Sequence, residues 1–90
     1  MYDVIWDPSK AVTNFKKHGV HFSDAVTVLD DPRARTREDD RHGEQRFVTL
    51  GADLAGRVLV VVYTYPTEST VRLISARNAE ANERRQYVED

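Results

Sequence analysis

Cysteine is absent from this 90-residue chain, tryptophan and methionine occur once each, and histidine only three times. Without thiols there is no disulfide framework, no thiolate zinc site and no cysteine nucleophile. The imidazoles of His18, His21 and His42 do not show the paired spacing of a metal motif, so neither a metal nor a cofactor is expected. No stretch approaches the roughly 20 apolar residues of a membrane span, and no basic region followed by an apolar run opens the chain. A cytoplasmic protein with no membrane partner is expected. The chain also lacks a basic excess, its net charge being −2, which argues against an undiscriminating nucleic-acid binder.

What is present is unevenly distributed. Between Asp30 and Glu44 six acids face four arginines, whereas between Val71 and Tyr87 four arginines face two glutamates, a local +2. A basic site on an acidic body suits a partner that binds at one place. Ninety residues make a single domain, 1–90, whose one core must bury most of the large aliphatic side chains.

Tyr2 to Trp6 reads as an initial strand ended by Asp7-Pro8. Asp7 is a good N-cap, Pro8 suits the first helical position and Gly19 the C-terminal stop, which predicts a helix over Pro8 to His18. Its apolar stripe is thin (Ala11, Val12 and Phe15), with Lys10, Asn14 and Lys17 turned outward or toward a groove. A second helix, Asp24 to Leu29, is expected after a Ser23 cap, with burial on nearly all sides. Arg33 to Gly43 is charged and reads as a weak edge strand running into a loop. Gln45 to Gly51 alternates, with Phe47 and Thr49 on one face and Arg46, Val48 and Leu50 on the other. Arg57 to Tyr65 is apolar on both faces and reads as a central strand, followed by a strand over Val71 to Ala76 and a helix over Asn78 to Val88. Short turns between the strands predict an antiparallel meander.

The side chains able to do chemistry gather where the last strand meets the last helix. Regular parity places Val71, Leu73 and Ser75 on one face and Arg72, Ile74 and Ala76 on the other, with Arg77 at the strand end. A guanidinium there either forks onto a phosphate, or pairs with Glu80 or caps a carbonyl. On the helix, Glu80 with Arg84 and Glu83 with Tyr87 are four apart, a spacing that is common on solvated faces. His18 stands with Lys16 and Lys17 at a helix C-terminus, where the dipole favours cations. His21 is expected to be half buried and His42 exposed. Arg46 and Glu44 flank the entry of the third strand. Most of the aromatic residues are expected in the core, Tyr87 being the one suited to stacking or proton transfer.

Several short motifs occur in order along nearly the whole chain. They are Trp6-Asp7-Pro8 with Lys10 and Asn14, Lys17-His18-Gly19, Phe22, Ala25, Asp31-Pro32, Gly43-Glu44 with Arg46, and Arg72-Leu73-Ile74-Ser75-Ala76-Arg77 with Glu83-Arg84 and Tyr87. This ordered set resembles the BrnT family of type II toxins. The resemblance implies an α+β, RelE-like fold: a small antiparallel β-sheet packed against two N-terminal helices, with a C-terminal helix. It implies a ribonuclease that arrests translation. It also implies a BrnA-type antitoxin, itself a DNA-binding protein, that forms a hetero-oligomer with the toxin. By carry-over onto matching positions, the catalytic set is Lys17, His18, Arg72, Arg77, Glu83 and Arg84, with Arg46 and Tyr87 behind them on RNA.

Metal-free cleavage through the RNA's own 2′-hydroxyl needs a proton acceptor, a proton donor and cations on the phosphorane. Arg77 with Arg72 or Arg84 is expected to hold the phosphate, Glu83 or His18 to move protons, and Lys17 to steer the backbone. The competing reading is a non-catalytic module whose arginine junction docks an acidic or amphipathic partner segment. A DNA-binding role is disfavoured, since no helix carries a row of Arg, Asn and Gln.

Overall fold

The computed structural model describes residues 2–41 and 43–89, so the expectation for His42 lies outside the described residues. Helix α1 spans Pro8–His18 and ends as its sequence dictates. Asp7 Oδ1 accepts from the Ser9 amide at 2.9 Å and the Ser9 hydroxyl at 2.8 Å. Pro8 needs no amide partner at the first helical position. Gly19 adopts the left-handed conformation, φ 69°, that lets its amide reach the Phe15 carbonyl at 2.8 Å.

The second helix departs from expectation. A single α-turn, α2 at Phe22–Ala25, follows His21 rather than a Ser23 cap, and then tightens into a 3-10 segment over Val26–Asp30. The Val26-Thr27-Val28 run is β-branched and stiff at χ1, which weakens any α-helical preference. Tertiary packing then fixes the tighter winding. A methyl of Val28 would lie 2.9 Å from a β-carbon at Gly51, so only glycine admits this approach of the 3-10 segment to the sheet.

The sheet is ordered β1-β5-β4-β3-β2, with β1 at Asp3–Ile5, β2 at Arg35–Asp39, β3 at Arg46–Ala52, β4 at Val58–Thr67 and β5 at Thr70–Asn78. Strands β2 to β5 form the antiparallel meander that the short turns predict. The sheet is nevertheless mixed, because β1 pairs with β5 in parallel. No hairpin joins these two strands, so nothing in their connection imposes an antiparallel direction. The last strand also runs two residues beyond expectation, to Asn78, and helix α3 is correspondingly shorter, at Ala81–Val88.

One face of the sheet builds the core. Leu59, Val61 and Tyr63 of β4 and Val71, Leu73 and Ala76 of β5 pack on Val20, Phe22, Ala25 and Val28. Fully burying a side chain of the Val, Leu or Phe type stabilises by about 1.5–3 kcal/mol, so each such member of this cluster contributes on that scale. Helix α1 contributes little to it, because Val12 and Phe15 remain 55% and 42% exposed. Its firm attachment is instead Asn14, expected to turn outward or toward a groove: it does border the groove beside β5, but at 6% exposure it is buried. The carboxamide donates to the Ala76 carbonyl at 2.9 Å and to the Val20 carbonyl at 3.1 Å, and accepts from the Ala76 amide at 3.0 Å. Strand β1 covers β5 only through Arg72, and Asn14 supplies the missing edge partner beyond it. Among the described residues no helix is long and apolar enough to cross a membrane.

Candidate functional site

The decisive local feature is a bulge in β5. Leu73 is opposite Tyr63 and Ser75 is opposite Val62, leaving Ile74 as the extra residue. Regular alternation would send Arg72 and Arg77 to opposite faces. The inserted residue reverses parity, so Arg72 opposite Thr64, Ser75 opposite Val62 and Arg77 opposite Val60 share the face away from the core. Ala76, expected beside Arg72, turns into the core instead and is fully buried.

Three rows of side chains cross that outer face, as the strand registers dictate. The first holds Asp39, Arg46, Thr64 and Arg72, and the second Arg37, Val48, Val62 and Ser75. The third holds Arg35, Leu50, Val60 and Arg77. The result is a valine- and leucine-lined floor edged by five arginines. Arg35 and Arg37 were not singled out from the sequence, although their spacing of two within a charged strand already places them on one face.

Helix α3 lies over the third row, where a cleft of about 160 Å³ is lined by residues including Arg35, Arg37, Leu50, Val60 and Glu83. Arg77 donates from both terminal nitrogens to Glu83, at 2.8 and 2.9 Å. The Glu80 amide adds a third donor to the same carboxylate at 2.8 Å. Of the two expected structural partners, Glu80 is displaced by Glu83, six residues along, because the turn into α3 brings the first helical carboxylate back over the strand end. A carbonyl is met, Nη1 also donating to the Asn78 carbonyl at 3.3 Å. The Arg77 fork, followed by the Glu80 amide, draws the Glu83 carboxyl from its ordinary 4.5 down to about 2. The same fork raises the Arg77 pKa. Arg77 remains 39% exposed at the side chain, and a guanidinium has five donors, so its outer edge is open to an anion.

Lys17 and His18 stand at the other side of Ser75. Together with Ser9, Lys10, Thr13, Asn14 and Ile74 they line a groove of about 260 Å³ between α1 and the bulged strand. Ser75 belongs to this groove and, by register, to the arginine face, so the two regions are contiguous. Lys10 and Ser75 are lining residues that sequence reasoning left out of the site, and the bulge that exposes Ser75 leaves no local signal.

The remaining expected site residues are engaged elsewhere. Arg84 donates to the Ala79 carbonyl at 2.6 Å, bracing the start of α3. Tyr87 donates to Asp31 Oδ2 at 2.6 Å, and the same oxygen accepts from the Ala52 amide at 2.8 Å. Arg35 donates to the Glu89 carbonyl. These contacts fasten a helix that has no buried residue of its own. Arg46 and Arg72 meet at Glu44, 3.5 and 3.7 Å from its two oxygens. His21 stacks on Phe15, with ring centroids 3.9 Å apart. Among the described residues no group of three or more His, Asp or Glu side chains is arranged to hold a metal ion.

Comparison with known proteins bears on this geometry. The profile of the family described as "Ribonuclease toxin, BrnT, of type II toxin-antitoxin system" matches residues 6–83. The crystal structure of the Brucella abortus ribonuclease toxin BrnT superposes with a TM-score of 0.72, at 24% identity, covering 89% of this chain and 99% of that one. That likeness shows the fold. No curated protein matches the chain.

Proposed function

This chain belongs to the BrnT family, the ribonuclease toxins of type II toxin-antitoxin systems, and from that premise we propose that it cleaves RNA without a metal, through the RNA's own 2′-hydroxyl, at the junction of β5 and α3. The observation that supports the residue assignment is the β5 bulge, which sets Arg77 and Ser75 on one open face beside the Lys17 and His18 groove. The fold is read as RelE-like and the acting unit as the single domain 1–90.

In this reading Arg77 holds the scissile phosphate. A base removes the proton of the 2′-hydroxyl, and the oxygen attacks phosphorus to form a 2′,3′-cyclic phosphate. The bond to the 5′-oxygen breaks, and that oxygen takes up a proton. Charge accumulates on the non-bridging oxygens, where a preorganised guanidinium acts most strongly. Glu83, with a pKa of about 2, is a weak base near neutrality and serves to orient Arg77. His18 is then assigned the proton transfer, its imidazole lining the groove beside Ser75. Lys17 and Lys10 steer the RNA backbone into the groove. Arg84 and Tyr87 act by holding α3 in place.

Cleavage of messenger RNA in the cytoplasm arrests translation, and a BrnA-type, DNA-binding antitoxin neutralises the toxin in a hetero-oligomer. The apolar floor edged by arginines also fits an amphipathic, acidic antitoxin segment, so occlusion of the RNA face accounts for inhibition. The test is incubation of purified protein with a long messenger RNA in EDTA. Fragments ending in 2′,3′-cyclic phosphate or 3′-phosphate support the reading, and intact RNA removes the catalytic part of it.

A further inference from the structure

The first row of the outer face contains an arrangement that the cleavage chemistry leaves unused. Thr64 is 95% buried, with 5% exposure, and its hydroxyl has no hydrogen-bond partner. The Nε of neighbouring Arg46 is likewise buried without one. A buried donor without a partner is destabilising, so two on one row of the sheet call for an explanation. Thr64 and Arg72 line a cleft of about 220 Å³, with Glu44, Gln45, Phe47, Tyr65 and Pro66 around it. The group standing between the two guanidiniums is the Glu44 carboxylate. At 3.5 and 3.7 Å it is too far from either for a well-formed hydrogen bond, and it is 47% exposed.

From these observations we infer that Arg46, Thr64 and Arg72 form a second RNA phosphate subsite, occupied at rest by the Glu44 carboxylate. A phosphodiester carries the charge that Glu44 supplies loosely, and it offers further acceptor oxygens to the hydroxyl and the guanidiniums. The subsite is on the same face as Arg77 and four residues away along β4, about 13 Å at the rise of an antiparallel strand. It therefore grips a phosphate upstream or downstream of the one being cleaved, and Arg72 contributes to binding rather than to bond breaking. Glu44 competes with RNA for the cleft and sets a threshold for entry. The inference rests on the ribonuclease reading of this face.

The probe is a single-stranded, fully 2′-O-methylated oligoribonucleotide, which lacks the nucleophile. Its affinity is measured across a range of salt concentrations for the wild-type protein and three variants. Glu44→Gln is expected to tighten binding about fivefold by removing one like charge near 4 Å in a solvated site. Thr64→Val is expected to weaken it roughly tenfold, the effect of one hydrogen bond to a charged group. The same variant melts no lower than wild type, because the hydroxyl it removes is unpaired in the free protein. Arg72→Ala should reduce the salt slope by about 0.7, the contribution of one phosphate contact on a single strand. Wild-type affinity in both Glu44→Gln and Thr64→Val overturns the subsite, and cleavage of unmodified RNA in EDTA by those same proteins then leaves the ribonuclease reading standing. The predicted binding pattern in a protein that cleaves nothing supports the subsite and overturns the catalytic reading.

Discussion

Replacing Glu83 by glutamine separates the two roles a carboxylate at this position could have. Glutamine retains an acceptor for the Glu80 amide, so the start of α3 stays capped, while the charge facing Arg77 is lost. The folded-state pKa of about 2 lies below the ordinary 4.5. At about 1.4 kcal/mol per pH unit this sets a ceiling of ~3 kcal/mol on the stability contributed. Because the Arg77 side chain is 39% exposed, solvent screening brings the expected value down to ~1–2 kcal/mol. The sign follows from a depressed pKa: the contribution is full above pH 4.5 and is lost as pH falls toward 2. Urea denaturation at several pH values should show Glu83→Gln less stable than wild type at neutral pH, with the gap closing between those limits. A gap that does not change with pH would refute the charge argument. In the cleavage assay the same variant is expected to keep at least about a tenth of wild-type kcat, with an unchanged pH profile. A fall of 10²–10⁴-fold with loss of one limb of the profile would identify Glu83 as the proton acceptor instead.

Asn14→Ala leaves the Ala76 amide and carbonyl unpaired at the strand edge and should cost about 2–4 kcal/mol, measured by thermal or urea denaturation. Gly51→Ala places a methyl 2.9 Å from Val28 Cγ1, 3.0 Å from Ala34 Cβ and 3.1 Å from Asp31 Oδ2. An overpacking loss of about 1–3 kcal/mol is expected, and a wild-type melting temperature would show that the 3-10 segment moves freely. Tyr87→Phe removes the bond to Asp31 and should destabilise by ~1–2 kcal/mol, with faster amide exchange concentrated in α3.

Much of the architecture is legible in local signals. The Asp7-Pro8 start and Gly19 stop define α1, because each satisfies a backbone requirement within a few residues. The alternation of Arg46 to Leu50 correctly assigns the faces of β3, because nothing interrupts its pairing. The site is legible in part for the opposite reason. Nothing in Arg72-Leu73-Ile74-Ser75-Ala76-Arg77 marks Ile74 as the residue left over, since the bulge is decided by how β4 pairs with both ends of β5. Arg77 is an expected phosphate holder by sequence, but its face depends on that tertiary choice. Asn14 reads as a polar residue turned outward or toward a groove, and polarity alone does not reveal that its carboxamide carries the one donor and one acceptor that an open strand edge needs. Thr64 lies inside the apolar run Arg57 to Tyr65, where nothing singles it out, so its unpaired hydroxyl becomes visible only in three dimensions.

The most direct test of the account is the rate at which folded Arg77→Ala protein cleaves RNA in EDTA, with Arg77→Lys alongside to separate charge from the guanidinium fork. One preorganised charge contact contributes about 2.7–4 kcal/mol in the transition state, so the alanine variant should be slower by roughly 10²–10³-fold. Lysine should recover only part of that loss, because a point charge cannot match a phosphate bidentately. Cleavage by Arg77→Ala at the wild-type rate, in a protein whose circular dichroism and melting remain cooperative, would contradict the placement of the reaction at the β5–α3 junction.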